Sequence, residues 1–337
     1  DPERQVAAVH KSLRSLDIFL GTYGEAGGCD EGPGYWGRAA ASLFDCLEWL
    51  YSATDGVVNV YDEVKIKNMG HFIYRTHIYD HYFVNFADAS AINQPPAGLI
   101  YRYGKRIEDQ EMAGFGGWLM EQAGGNVAKQ SSSLGRILPN LFEIPRPWDV
   151  EPTQPLPQRA WFDDIEVMVA RDQAGSPDGL FVAAKGGHNS ESHNHNDVGN
   201  VIVYGDGKPL IVDAGVETYR RKTFSPQRYE IWTMQSAYHT LLPTVDGVMQ
   251  APGRDFSADD VQYTAEDDGV TYTLDVAGAY PDEAKIMNWR RTLKLMQGES
   301  LVIEDAYEFV EAPDTLMMGL LTPCEVEIDP GMVTFKP

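Results

Sequence analysis

The stretch ESHNHNDVGN, from Glu191 to Asn200, sets His193 and His195 two apart, alternates them with asparagines and closes on Asp197. Two later residues extend the group: Asp213 at the end of PLIVDAG and His239 in SAYHTLLPTVDG. Two imidazoles and a carboxylate from separate β segments, His195, Asp213 and His239, make a normal ligand shell for zinc or a similar divalent ion. The same residues have a plainer use, because Asn and His cluster in turns and a strand-end Asp often caps one. Nothing here has the short rigid spacing of HExxH or CxxC, so both uses stay open. If residues 193 to 195 are extended, their side chains point to opposite faces, leaving His195 for a metal and His193 for the neighbouring domain. A nucleophilic triad is the rival use of a histidine, but there is no G-x-S-x-G elbow and Cys29 has no protease context.

Further along, VETYRRKTFSPQRYEIW carries Arg220, Arg221, Lys222 and Arg228 with no acid between them, in a chain of formal charge -23. Such a run is either a solvated loop or an anion clamp, since guanidinium forks match carboxylate and sulfate oxygens.

The elements that must position these residues fall into two halves. Residues 1–144 read as helical, with GRAAASLFDCLEWLYSAT and DQEMAGFGGWLMEQAGG at helical period and Gly- and aromatic-rich loops between them. Residues 145–160 hold five prolines from Pro145 to Pro157 and read as an extended linker. Residues 161–337 read as short strands with Gly/Asp turns, GDGK being a good hairpin turn. The expected fold is therefore multidomain, α then β, and not a βαβ array. At 337 residues the length itself leans towards two domains. The opening residues form an amphipathic helix with Val6, Val9, Leu13, Leu16 and Leu20 near helical spacing. A chain that opens inside a helix without Met, and stops in the strand-like GMVTFKP, reads as a fragment.

Composition excludes some classes. No apolar run is long enough to span a membrane. The excess of 50 acidic over 27 basic side chains argues against a nucleic-acid partner. Three separated cysteines give neither a disulfide framework nor a zinc ribbon.

GGHNSESHNHNDVGNVIVYGDGKPLIVDAG together with SAYHTLLPTVDG resembles the β-sandwich domain of the heparinase II/III family of polysaccharide lyases, and GGCDEGPGYWGRA resembles its toroid segment with the catalytic tyrosine. The resemblance implies an incomplete (α/α) toroid followed by an antiparallel β-sandwich. It implies Tyr35 and His193 as catalytic residues, and His195, Asp213 and His239 as ligands of a divalent metal, zinc first, with Mn2+ or Ca2+ as alternatives. The family's Asn or Asn-His pair lies roughly fifty residues before the tyrosine. Only 34 residues precede Tyr35, and His10 has the wrong spacing, so the chain is expected to lack its carboxylate neutraliser unless a separate chain supplies that part of the toroid.

The implied reaction is β-elimination on uronic-acid polymers of heparan, chondroitin or hyaluronan type. An oligo-alginate lyase is the alternative within the same chemistry, and a non-catalytic carbohydrate-binding protein is the alternative outside it. His188, Tyr219, Arg220, Arg228 and Tyr229 are candidates to bind the substrate, though His188 could equally cap a turn. Asn85 and Asp88 either support sugar hydroxyls or sit in a solvated loop, and His71, His77 and His81 are expected to pack. The implied partner is an anionic polysaccharide, with a homodimer allowed, and the implied location is periplasmic or secreted in a bacterium, with the signal region outside this chain.

Overall fold

The computed structural model describes residues 1–125, 133–144 and 148–336, so part of the expected linker lies outside the described residues. Helices come first. They are α1 (Pro2–Leu20), α2 (Ala40–Ala53), α3 (Val64–Arg75), α4 (Ala97–Arg106), α5 (Gln110–Gln122) and α6 (Leu134–Glu143). Their starts carry the expected chemistry: Asp1 caps α1 ahead of Pro2, and Asp109 accepts the Met112 amide to cap α5. Helices α4 and α5 meet backbone to backbone, because a Cβ at Gly104 or Gly116 would sit 2.4 Å from the Ala113 nitrogen or 2.3 Å from that of Tyr101.

Antiparallel sheets follow. One has five strands in sequence order: β1 (Arg159–Phe162), β2 (Val167–Arg171), β3 (Leu180–Lys185), β4 (Val201–Gly205) and β5 (Lys208–Ile211). The other has four, β6 (Asp259–Glu266), β7 (Gly269–Asp275), β8 (Ile286–Met296) and β9 (Ser300–Phe309). Alternate residues of both sheets share one core: Met168, Ala170, Val182, Ala184, Val201 and Val203 pack with Tyr272, Leu274, Trp289, Leu293 and Leu295. This period of two packs the sheets face to face as a sandwich, which the family resemblance implies, while the strand pattern itself predicts antiparallel β structure. The GDGK turn forms as expected, with Gly205 paired to Lys208 across Asp206 and Gly207 at φ of 49° and 74°.

Contacts group the chain into two compact units that do not follow chain order. One comprises Asp1–Cys29, Trp36–Phe72 and Pro96–Thr153; the other comprises Asp30–Tyr35, Ile73–Pro95 and Gln154–Pro337. Two segments that the sequence pattern assigns to the helical half thus belong with the sheets. The physical reason is a small hairpin, His77–Tyr79 with Tyr82–Phe83, inside the apolar stretch HIYDHYF. Its Tyr82 ring packs on Tyr204 of β4. Buried Arg171 of β2 donates to the carbonyls of His77 and Ile78 at 3.0 and 3.1 Å. His77 is fully buried with its ring against Phe83, packing as expected.

A second buried guanidinium ties β8 to the loops beside the histidine motif. Arg291 grips both oxygens of Asp305 at 2.8 and 2.7 Å and donates to the Gly199 and Leu241 carbonyls. Removing it strands a carboxylate and two carbonyls. Arg291→Ala is expected to cost about 3–5 kcal/mol in urea unfolding. Arg291→Lys should recover little, because an ammonium cannot reproduce the fork; a loss within error of parent would contradict this role.

Candidate active site

The loop after the hairpin carries Asp88, whose side chain has no exposed surface. Four donors converge on it. His193 Nδ1 and the Tyr219 hydroxyl reach Oδ2 at 2.7 and 2.9 Å; His195 Nε2 and Arg228 Nη2 reach Oδ1 at 3.0 and 2.8 Å. Burial alone would raise the Asp88 carboxyl, but hydrogen bonds from His195 and His193 and the charge of Arg228 outweigh it and hold the group well below the usual carboxylate range. Tyr35 completes the cluster. Its hydroxyl makes a short hydrogen bond to that of Tyr219, and its ring lies 4.2 Å from the His193 ring, centroid to centroid. Burial, Tyr35 and Asp88 together push the Tyr219 phenol up, so it stays protonated.

Local sequence explains these placements. Gly32, at φ 79°, lets the Tyr35 turn lie against the Asp88 loop, since a Cβ there would sit 2.9 Å from the Ala89 Cβ and the Phe86 oxygen. Asn93 donates to the Pro33 carbonyl at 3.0 Å across the same contact. Ala87 and His193 adopt φ of 57° and 55°, a left-handed conformation uncommon for residues that carry a side chain.

His193 and His195 do not lie in a strand. Residues 191–200 form a loop with His193 in the left-handed region, so alternation across a pleat does not separate the two imidazoles. Both turn instead to the two oxygens of one carboxylate. The asparagines between them pin this loop. Asn196 donates to the Gln250 carbonyl, Asn194 to the Tyr229 hydroxyl, and Asn200 to Asp213, while the Asn200 side-chain oxygen receives the Thr240 amide.

Behind His195, donor atoms of His195, Asp213 and His239 lie within 4.8 Å of one another, all buried. His239 Nδ1 is 2.6 Å from Asp213 Oδ2, and the Gly215 amide donates to Asp213 Oδ1. Two buried ring nitrogens, His195 Nδ1 and His239 Nε2, have no hydrogen-bond partner among the described residues. Unpaired buried imidazole nitrogens beside a carboxylate fit a divalent cation by their chemistry.

Other sequence candidates fall outside this cluster. Arg220 is exposed and faces Glu217 at 4.0 Å, and Lys222 pairs with Glu230 at 2.8 Å. Arg228 of this run turns to Asp88. Tyr229 supports Asn194. His188 caps a turn, its Nδ1 accepting the Ser190 amide at 3.1 Å. Asp88, by contrast, reads in sequence as a sugar contact or a solvated residue, and its central place depends on long-range packing that no local pattern records. Asp30 and Glu31 also join the site: Asp30 accepts the Ser192 amide at 3.0 Å, and Glu31 lies 3.9 Å from His193 Nε2. Burial raises the Glu31 carboxyl despite His193 beside it.

Residues 154–312 match the family model described as Heparinase II/III-like, C-terminal, so this part of the chain is similar to that domain. Solved structures similar to the chain include a heparinase III, the BT4657 gene product, at TM-score 0.68 and 17% identity, covering 94% of this chain and 44% of that one. A second, heparan sulfate lyase HepC from Pedobacter heparinus, gives 0.59 and 14%, covering 87% and 40%. A third, a heparinase III, gives 0.63 and 14%, covering 93% and 45%. The chain spans less than half the length of each. No curated protein matches the sequence. The shared fold, helices followed by antiparallel sheets, is the one expected.

The loop's base is held by a charged cluster. Lys185 of β3, buried, meets Glu191 at 2.7 Å and Asp197 at 2.8 Å. One cation cannot satisfy two buried carboxylates, and burial pushes Glu191 up to about 7 from an ordinary 4.5. Between those values the folded protein holds a proton that the unfolded chain has released. This group's contribution to stability is full below the ordinary value and is lost as pH rises through about 7. Glu191→Gln is expected to flatten the fall in urea-unfolding stability between about pH 5 and 8 by about 1–3 kcal/mol. Superimposable pH profiles for variant and parent would refute it.

Proposed function

We propose that the chain is part of a polysaccharide lyase that cleaves uronic-acid polymers of glycosaminoglycan type by β-elimination. The observation that carries this reading is the Tyr35–Tyr219–His193 group gathered on Asp88: phenol and imidazole in contact, with no nucleophile between them. β-Elimination needs one group to take the C5 proton and one to protonate the departing C4 oxygen. The C5–H electrons form the 4,5 double bond as the C4–O bond breaks, and the leaving oxygen gains a proton.

Tyr35 is assigned the proton to the leaving oxygen, and His193 Nε2 or Tyr35 the C5 proton, according to the epimer. A phenol alone is a weak base near neutrality, so its partners matter. A proton beside a carboxylate is weakly acidic, and the developing charge needs preorganised donors. The heparinase II/III-like domain and the heparan sulfate lyase likeness support a glycosaminoglycan as substrate, and a polymeric substrate fits action outside the cytoplasm.

His195, Asp213 and His239 would hold the divalent ion, zinc by their nitrogen-rich donor set. Bound there, it would fix the loop that carries His193, a structural contribution. The protein's own groups perform the proton transfers.

Tyr35→Phe is expected to lower the rate of unsaturated-product formation by about 10²–10⁴-fold with an unchanged melting temperature. The assay follows ultraviolet absorbance of the new double bond on heparan, chondroitin, hyaluronan and alginate. Retention on a polymer column with no absorbance rise from the parent would mark a binding protein instead. His239→Ala is expected to lose bound zinc and melt earlier; equal zinc by elemental analysis in variant and parent would remove the metal from the account.

A further inference from the structure

We propose that Asp88 is a positioning residue that sets which proton each group in this site holds. The proposal deepens the lyase reading and rests on it for its kinetic arm. An ionised carboxylate accepts hydrogen bonds and cannot donate them. Every group facing Asp88 must therefore donate, which gives each contact one sense.

His193 must carry its proton on Nδ1, 2.7 Å from Oδ2. Its Nε2 is then left with a lone pair, on the side where Glu31 lies 3.9 Å away. His195 must carry its proton on Nε2, 3.0 Å from Oδ1, which leaves Nδ1 bare, the same nitrogen that has no partner inside the protein. Tyr219 must give its proton to Oδ2 at 2.9 Å, so its oxygen receives that of Tyr35. One acceptor-only group thereby selects the tautomer of two imidazoles and the direction of a two-phenol chain.

The outward-facing lone pair is then Nε2 of His193, while Tyr35 keeps its phenol proton beside the Tyr219 oxygen. The site thus holds one acceptor and one donor before substrate arrives. Arg228 makes the buried charge tolerable. It donates to Oδ1 and is itself fixed by the Asn194 and Thr223 carbonyls at 2.9 and 3.2 Å. An asparagine at position 88 would keep the shape but present an NH2 where an acceptor is required, and the tautomer selection would go with it.

Nitrogen-15 NMR of the imidazole rings, assigned with single His→Gln variants, tests this on the parent protein. Protonation of His193 at Nδ1 and of His195 at Nε2 is expected; His193 protonated at Nε2 would overturn the proposal. In Asp88→Asn, the His193 preference is expected to be lost, with kcat down about tenfold or more and KM within about threefold of parent. Parent-like tautomers with parent-like kcat in that variant would also overturn it. If Asp88→Asn does not fold, the parent spectrum still decides. A parent that eliminates on none of the uronate polymers refutes the lyase reading, while the tautomers decide separately on Asp88.

Discussion

A lone carboxylate moved out of water costs several kcal/mol, and Asp88 has no exposed surface. It survives as an anion because Arg228, two imidazoles and a phenol meet its two oxygens. Those donors come from two separate stretches of chain, and each depends on the carboxylate in return. Without it, Arg228 would be an unpaired partly buried cation, and His193 would lose the contact that orients its ring. Polar networks of this kind are stabilising only when every member is satisfied. The folding of the 191–200 loop, the reach of residue 228 and the seating of the hairpin loop are thus one problem.

The remainder of the unit serves that constraint. The loop bearing both histidines has no ladder of strand hydrogen bonds, so side chains replace it: Asn194, Asn196 and Asn200 bond to surrounding groups, and Asp197 binds Lys185. On the other side, Arg171 satisfies the carbonyls of the hairpin that leads into Asp88, and Gly32 lets the Tyr35 turn approach it. Rigid sheets anchor both sides through the shared core. Precision of position here comes from polar staples on an apolar scaffold, the arrangement that holds reacting groups within a fraction of an ångström.

Much of this was legible in sequence. Helical period, capping residues, the GDGK turn and strand alternation lead to the observed elements, because each depends on near neighbours. The grouping of His195, Asp213 and His239 was legible through the resemblance to the heparinase II/III family, the spacing alone leaving a turn use open. Three features were not. The backbone at His193 is left-handed, and a histidine does not announce that as a glycine does. The HIYDHYF hairpin joins the sheets through tertiary packing, which overrides its helical surroundings. Asp88, in FVNFADAS, has the local signature of any loop aspartate; what makes it central lies 105 to 140 residues away.

The charge balance of the site bears on what it can bind. Asp30, Glu31 and Asp88 set three carboxylates near His193, and the Arg228 charge is spent on Asp88. In the neighbouring basic run, Arg220 faces Glu217 and Lys222 pairs with Glu230. Within the cluster itself the three carboxylates outnumber the one guanidinium, so its own charge does not draw a uronate in. Glu31, raised by burial, relieves part of the repulsion by protonating more readily than a free carboxyl. Under the lyase reading, the substrate carboxylate must then be met by aimed donors and not by a cationic field. Such donors discriminate by geometry, since a misplaced carboxylate finds acids in place of a compensating charge. A site built this way favours one alignment of C5 against His193 and of the leaving oxygen against Tyr35, which elimination requires and loose electrostatic capture would not provide.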